Sequence, residues 1–120
     1  MDEKSLGEFI VETRKRREMS ARQLAIALDI SPVHMCDIEK NRRSVTDEVL
    51  EKMRNVFMLS ETEAEQMYDL AAIAKNTVSA DLPKYIMENE LVRTALRTAK
   101  KHQVPDEKWE KFIREVIRKE

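Results

Sequence analysis

Apolar residues recur every three to four positions along most of this 120-residue chain, in runs punctuated by serine, threonine and short polar stretches. That period marks amphipathic helices, and no stretch alternates in the way a half-buried strand would. Leu6, Phe9, Ile10 and Thr13 predict a first helix over residues 5–17, opened by a capping box of Ser5 with Glu8. Ser20 opens a second in the same way with Gln23, and Leu24, Ala25 and Leu28 form its inner face. Ser31 is the N-cap of a third, with Pro32 at the first helical position, where a missing N–H costs nothing. Between them, Asp29 tolerates a left-handed backbone and Ile30 plugs the angle. Thr46 caps a fourth helix with Leu50, Met53, Val56 and Phe57 inward, and Ser60 with Glu63 boxes a fifth running to about residue 75.

Residues 76–80 form the best break in this pattern. After it, Asp81-Leu82-Pro83 begins a short helix with Tyr85 and Ile86. Leu91, Val92, Ala95, Leu96 and Ala99 then make an amphipathic helix ending near residue 102, and a last helix from about residue 105 buries Trp109, Phe112, Ile113, Val116 and Ile117 in one stripe. The expected fold class is all-α, organised as a domain over 1–75, a linker over 76–81 and a helical segment over 82–120.

Two short helices joined by a tight turn, the second opening at Ser31-Pro32, have the spacing of a helix-turn-helix. With Leu6-Gly7 and Arg14 on the first helix, Ser20 and Leu24-Ala25 on the second, and Ser31, Met35, Ile38 and Glu39 on the third, followed by Asn41-Arg42-Arg43, residues 5–74 resemble the lambda-repressor-like, or Xre, family of helix-turn-helix regulators. The resemblance implies a five-helix DNA-binding domain, here with a short helical C-terminal extension. Asp29 and Asn41 stand where the family usually has glycine, and both residue types accept positive φ. Cys36 stands where a small hydroxyl is usual, and Ala21 where the family often has a glutamine that contacts phosphate.

One glycine, three prolines, 38% charged and 5% aromatic residues fit a helical, soluble chain with few sharp turns. A single cysteine, with no signal peptide and no long apolar run, predicts a reducing cytoplasmic setting and no membrane association. The net charge of −1 is unusual for a nucleic-acid binder, but its distribution is uneven. Positive charge clusters in Arg14-Lys15-Arg16-Arg17, at Arg22, and at Lys40, Arg42 and Arg43, so a local positive face does not require a basic protein. Residues 58–90 are acidic and residues 91–120 basic.

With Ser31 as cap, the first turn of the third helix presents Pro32, Val33 and His34, and Asp37 lies one turn on. The resemblance gives Pro32, Val33 and Asp37 the family's role of contacting base edges in the major groove. Pro32 and Val33 suit a thymine methyl, Asp37 accepts from cytosine N4, and His34 adds a donor. Arg22, Lys40, Arg42 and Arg43 flank this helix as phosphate contacts, together with Ser31 and the amides at the helix starts. Arg42 or Arg43 reaches either phosphate or a minor groove, and the sequence leaves both open. The resemblance also pairs Arg14 with Glu39, a partly buried ion pair tying the first helix to the third.

No enzyme is expected: there is no Gly-rich phosphate loop, no nucleophile with a base, and no catalytic residue to name. No cofactor is expected. His34 and Cys36 lie two apart on a helix and point differently, so no metal site is expected either. Cys36 reads as a small buried or half-buried residue, and the seven methionines as core fillers.

The apolar stripe of Trp109, Phe112, Ile113, Val116 and Ile117 needs cover from the first domain, from its own copy or from another protein. Tails of the form Asp-Leu-Pro-x-Tyr-Ile, Ala-Leu-Arg-x-Ala and Trp-x-x-Phe-Ile are similar to those of Xre regulators on mobile elements, some encoded beside a zinc peptidase or a toxin. The expected function is a homodimeric, sequence-specific repressor that binds a palindromic double-stranded operator. The alternative is an antitoxin-type or adaptor protein that holds a toxin or peptidase through its C-terminal helices.

Overall fold

Five side-chain hydroxyls start the first five helices of the chain. A computed structural model describes residues 4–118, and among them the fold is all-α, with eight helices and no strand. The helices are α1 (Leu6–Arg16), α2 (Ala21–Leu28), α3 (Pro32–Glu39), α4 (Asp47–Phe57), α5 (Glu61–Lys75), α6 (Pro83–Glu88), α7 (Glu90–Lys101) and α8 (Asp106–Arg118). Ser5, Ser20, Ser31, Thr46 and Ser60 each accept a hydrogen bond from the backbone N–H three residues on. In α1, α2 and α5 the serine's own N–H donates in return to the side-chain oxygen of Glu8, Gln23 or Glu63, which completes the box.

The helix ends are equally local in origin. Glu18, Asp29, Asn41, Met58, Asn76 and Gln103 all have positive φ, between 49° and 60°. Each closes a paired-bond C-terminal turn; at Asp29, for example, the Asp29 N–H reaches Ile26 O and the Ile30 N–H reaches Ala25 O. The residue after the left-handed one is Met19, Ile30 or Leu59 at three of these ends, and all three pack against the core. A chain with one glycine thus reverses direction repeatedly through Asn, Asp and long side chains.

The chain divides into two units, Met1–Pro83 and Lys84–Glu120. In the first, α1 packs on α3 and α5, and α2 on α3 and α4. Phe9, Ile10, Leu24, Leu28, Met35, Ile38, Leu50, Met53, Phe57 and Met67 fill the space between them. Three methionines are therefore core fillers as expected, whereas Met58 and Met87 are exposed. Residues 76–81 read as a linker in the sequence; Asn76, Thr77, Val78 and Asp81 are exposed, but Ser79 is buried, its hydroxyl donates to the Asp69 carboxylate, and Ala80 lies against the core. The turn at Asn76 sends the chain back along α5, a reversal that polar composition alone does not reveal.

In the second unit, no residue of α6, α7 or α8 is buried. The Trp109 to Ile117 stripe does lie along one side of α8, with the Trp109 and Phe112 rings edge to face at 6.4 Å. In the single chain its five residues are 38–75% exposed, so α8 does not bury the stripe by itself. Periodicity reports that a face is apolar and says nothing about what covers it.

Gly7 lets α1 approach the end of α3 closely. A Cβ there would lie 2.3 Å from Glu39 O at the end of α3 and 2.9 Å from Asn41 Oδ1. Helix propensity alone favours Ala over Gly by about 1 kcal/mol. Here the obstacle is backbone, so Gly7→Ala should instead lower stability by about 1–3 kcal/mol through overpacking. Denaturant unfolding of the variant and parent measures the sign directly, and a stabilised variant would refute this packing.

Candidate nucleic-acid interface

The outward face of α3 follows from what its inward face buries. Met35 and Ile38 are 1% exposed, so Pro32, Val33, Cys36 and Lys40, at the complementary spacing, face out. Val33 is 71% exposed. His34 and Asp37 lie at the edges of this face and are half-buried. Pro32, Val33, His34 and Asp37 therefore occupy one surface at the start and middle of α3.

Cys36 corrects the sequence reading. It is exposed, one turn along from Val33, rather than buried. The signal was available, since Cys36 is three residues from Val33 and four from Pro32; its residue type pointed the other way. Ile26, 71% exposed on α2, was also missed; it falls off the face formed by Leu24, Ala25 and Leu28.

The N-terminus of α3 has few free donors. Pro32 has no N–H, and the His34 N–H is held by Ser31 Oγ at 3.0 Å, leaving the Val33 amide. The Ser31 hydroxyl is exposed and keeps its own proton for an anion. At the start of α2 the Gln23 amide is held by Ser20, so Ala21 and Arg22 carry the free N–H groups there.

Arg22, Lys40, Arg42 and Arg43 are all exposed, Lys40 on the outward side at the end of α3, Arg42 and Arg43 just beyond it, and Arg22 in the first turn of α2. The structure couples two of the sequence candidates: Arg42 Nη1 lies 3.9 Å from Asp37 Oδ1, a pairing drawn together by the Arg42 N–H donating to Asp37 O at 2.8 Å. Asp37 thus has Arg42 beside it and is not an isolated acceptor.

The Arg14–Arg17 run does not form one positive face. Arg14 Nε and Nη2 donate to the two carboxylate oxygens of Glu39 at 2.7 and 3.1 Å, and Nη1 to Met19 O at 3.4 Å. Its pKa is raised chiefly by the Glu39 hydrogen bonds, with burial opposing and the Glu39 charge adding the smallest contribution. Arg17 Nε donates to Phe57 O at 3.0 Å, closing the C-terminus of α4. Arg16 and Arg17 both lie 3.7 Å from the Glu63 carboxylate. Only Lys15 of the four makes no such contact among the described residues. Successive positions on a helix point in different directions, so a run in sequence is not a patch in space.

Among the described residues no cluster of His, Cys, Asp or Glu is arranged to hold a metal ion, and no helix is long and apolar enough to cross a membrane. Comparison of the chain with protein-family models, with curated proteins and with solved structures returned no match.

Glu63 links this charge arrangement to pH. Its carboxyl is held below its ordinary value first by the Ser60 N–H, then by the Ser60 hydroxyl and the charges of Arg17 and Arg16, with partial burial acting in the opposite sense. A lowered folded-state pKa means the stabilisation is complete above the unfolded value, about 4.3 for a glutamate, and is lost as pH falls through the folded value. Glu63→Gln keeps the capping oxygen and removes the charge. The variant should be slightly less stable at pH 7, and its loss of stability below about pH 4.3 should be shallower. Urea midpoints from pH 3 to 7 test this; parallel curves for variant and parent would contradict it.

Proposed function

We propose that the chain is a sequence-specific transcriptional regulator of the lambda-repressor-like, Xre type, binding double-stranded DNA as a homodimeric repressor with α3 in the major groove. The observation that carries this reading is Val33, an apolar side chain 71% exposed in the first turn of a helix whose other face is fully buried. Nothing in the folding of the first unit calls for an apolar residue there, whereas a thymine methyl does. Arg22, Lys40, Arg42 and Arg43 surround it as phosphate contacts, with the Ser31 hydroxyl and the Val33 amide at the helix start. Pro32 and His34 lie beside Val33, and the Asp37–Arg42 pair supplies an acceptor and a donor one turn on. Two such helices about 34 Å apart in a two-fold dimer would read a palindromic operator.

The exposed α8 stripe favours a second reading, in which the chain is an antitoxin-type or adaptor protein holding a toxin or peptidase through its C-terminal helices. In that case DNA binding is autoregulatory or absent, and the chain co-purifies with its partner. A regulator binds selected DNA alone.

Arg22→Ala, Lys40→Ala, Arg42→Ala and Arg43→Ala should each weaken binding to all sequences alike. Each should also reduce the slope of log K against log salt by about one unit. Unchanged slopes for all four would remove the proposed docking face.

Val33→Gln and Asp37→Asn should change the preferred operator, shifting discrimination at one base pair by about 1–3 kcal/mol, with circular dichroism unchanged. Selection from a random DNA pool provides the readout. If both variants recover the parental site, α3 is not the reading helix.

A further inference from the structure

The charges beside the exposed stripe of α8 are arranged to fit the same helix turned end for end. At 100° per residue, Trp109, Phe112, Ile113, Val116 and Ile117 share one face. Glu110 and Arg114 lie along one edge of it, Lys108 and Glu115 along the other. On each edge the sign reverses between the N-terminal and C-terminal halves of the helix. When two copies pack antiparallel about a two-fold axis, each edge meets its own counterpart reversed, so such a pattern becomes attractive on both sides.

We infer that a second copy of this chain covers the stripe, with the two α8 helices antiparallel and the two-fold axis near Phe112 and Ile113. The register that sets Trp109 level with Val116 brings Glu110 close to Arg114 of the second copy and Lys108 close to Glu115, each about one or two residues from level and within side-chain reach. The antiparallel direction follows from side-chain size. A parallel pair would set Trp109 on Trp109 at one end and Val116 on Val116 at the other, a crowded layer and an empty one. The antiparallel pair sets large on small twice, with Phe112 and Ile113 at the centre. It also opposes the helix dipoles, bringing Asp106 and Glu107 of one copy towards the Arg118 end of the other. The helix is 13 residues, about 20 Å long. α7 carries a second apolar stripe in the same unit, with Leu91 81% exposed. Two copies therefore bring together four short amphipathic helices, the number from which a bundle core is built.

This pairing deepens the homodimer of the proposed function but does not need DNA, so the two can fail separately. Sedimentation of the full chain and of three variants tests it: Glu110→Arg, Arg114→Glu, and the double swap. The parent should dimerise, each single reversal should raise the dimer dissociation constant about tenfold or more, and the double swap should restore it. Both positions are exposed, and circular dichroism of each variant controls for the like-charge i, i+4 contact that a single reversal creates within one helix. As a second measurement, in a Cys36→Ser background, Trp109→Cys mixed with Val116→Cys should form a disulfide-linked heterodimer faster than either forms a homodimer. A monomeric parent, singles that dimerise like the parent, a double swap no better than the singles, or faster 109–109 and 116–116 cross-links would each overturn it. Selective DNA binding by a monomer would leave the regulator reading standing while removing this pairing. Dimerisation as described without DNA selectivity would do the reverse.

Discussion

The contact of α1 with the C-terminal end of α3 is the constraint on which the first unit depends. Gly7 lets the two backbones approach until no side chain fits between them. Asn41, left-handed just beyond α3, then clasps the start of α1: its Oδ1 accepts from the Gly7 N–H at 3.0 Å and its Nδ2 donates to Ser5 Oγ at 3.1 Å. At the other end of α1, Arg14 holds Glu39 through two hydrogen bonds, with both side chains largely buried. These ties act at the same end of α3, so they fix both its position along its axis and its rotation. That rotation decides that Met35 and Ile38 point inward and Val33 outward. A buried ion pair of this kind adds little net stability compared with apolar packing, but breaking it leaves a charge without a partner, so it sets geometry firmly.

Most of the remaining charge in the first unit is sorted by the same packing. Arg14, Arg16 and Arg17 serve contacts within the fold, to Glu39, Glu63 and the end of α4. Arg22, Lys40, Arg42 and Arg43 remain at the surface around α3. A chain with a net charge of −1 can thus carry a localised positive surface, because the acids that balance it lie elsewhere. The Asp37–Arg42 pair lies within that surface and couples a proposed base-reading position to a proposed phosphate-binding one. Such coupling makes the two residues poor candidates for independent, additive effects.

The second unit obeys different physics. Its helices are short, strongly amphipathic and without buried residues, so their stability as single elements is marginal in water. Local devices still define them: the Asn89 side chain donates to Tyr85 O at 2.7 Å, Arg93 donates to the carbonyl of Ile86 at the end of α6, and the left-handed Gln103 separates α7 from α8. Their apolar faces supply the free energy of burial only when something covers them. The charge order along α8 gives that cover a specific direction.

What the sequence by itself determined here is what neighbours in the chain decide. The capping boxes at Ser5, Ser20 and Ser60, the Pro32 start of α3, and the left-handed turns at Asp29 and Asn41 all involve residues within a few positions of each other. Residue type and spacing suffice to identify them. The apolar faces of α1 to α5 were legible for the same reason, whereas the pairing of Arg14 with Glu39 was expected only from a resemblance. Tertiary structure alone decided the rest. The exposure of Cys36 depends on the rotation of α3, which α1 imposes from 30 residues away. The division of the Arg14–Arg17 run depends on Glu39, Phe57 O and Glu63 arriving from three other elements. The tethering of Ser79 and Ala80 depends on Asp69 receiving the Ser79 hydroxyl, and the necessity of Gly7 on a carbonyl of α3. Each is a meeting of groups distant in sequence, and a pattern of local preferences carries no information about which distant atom will arrive.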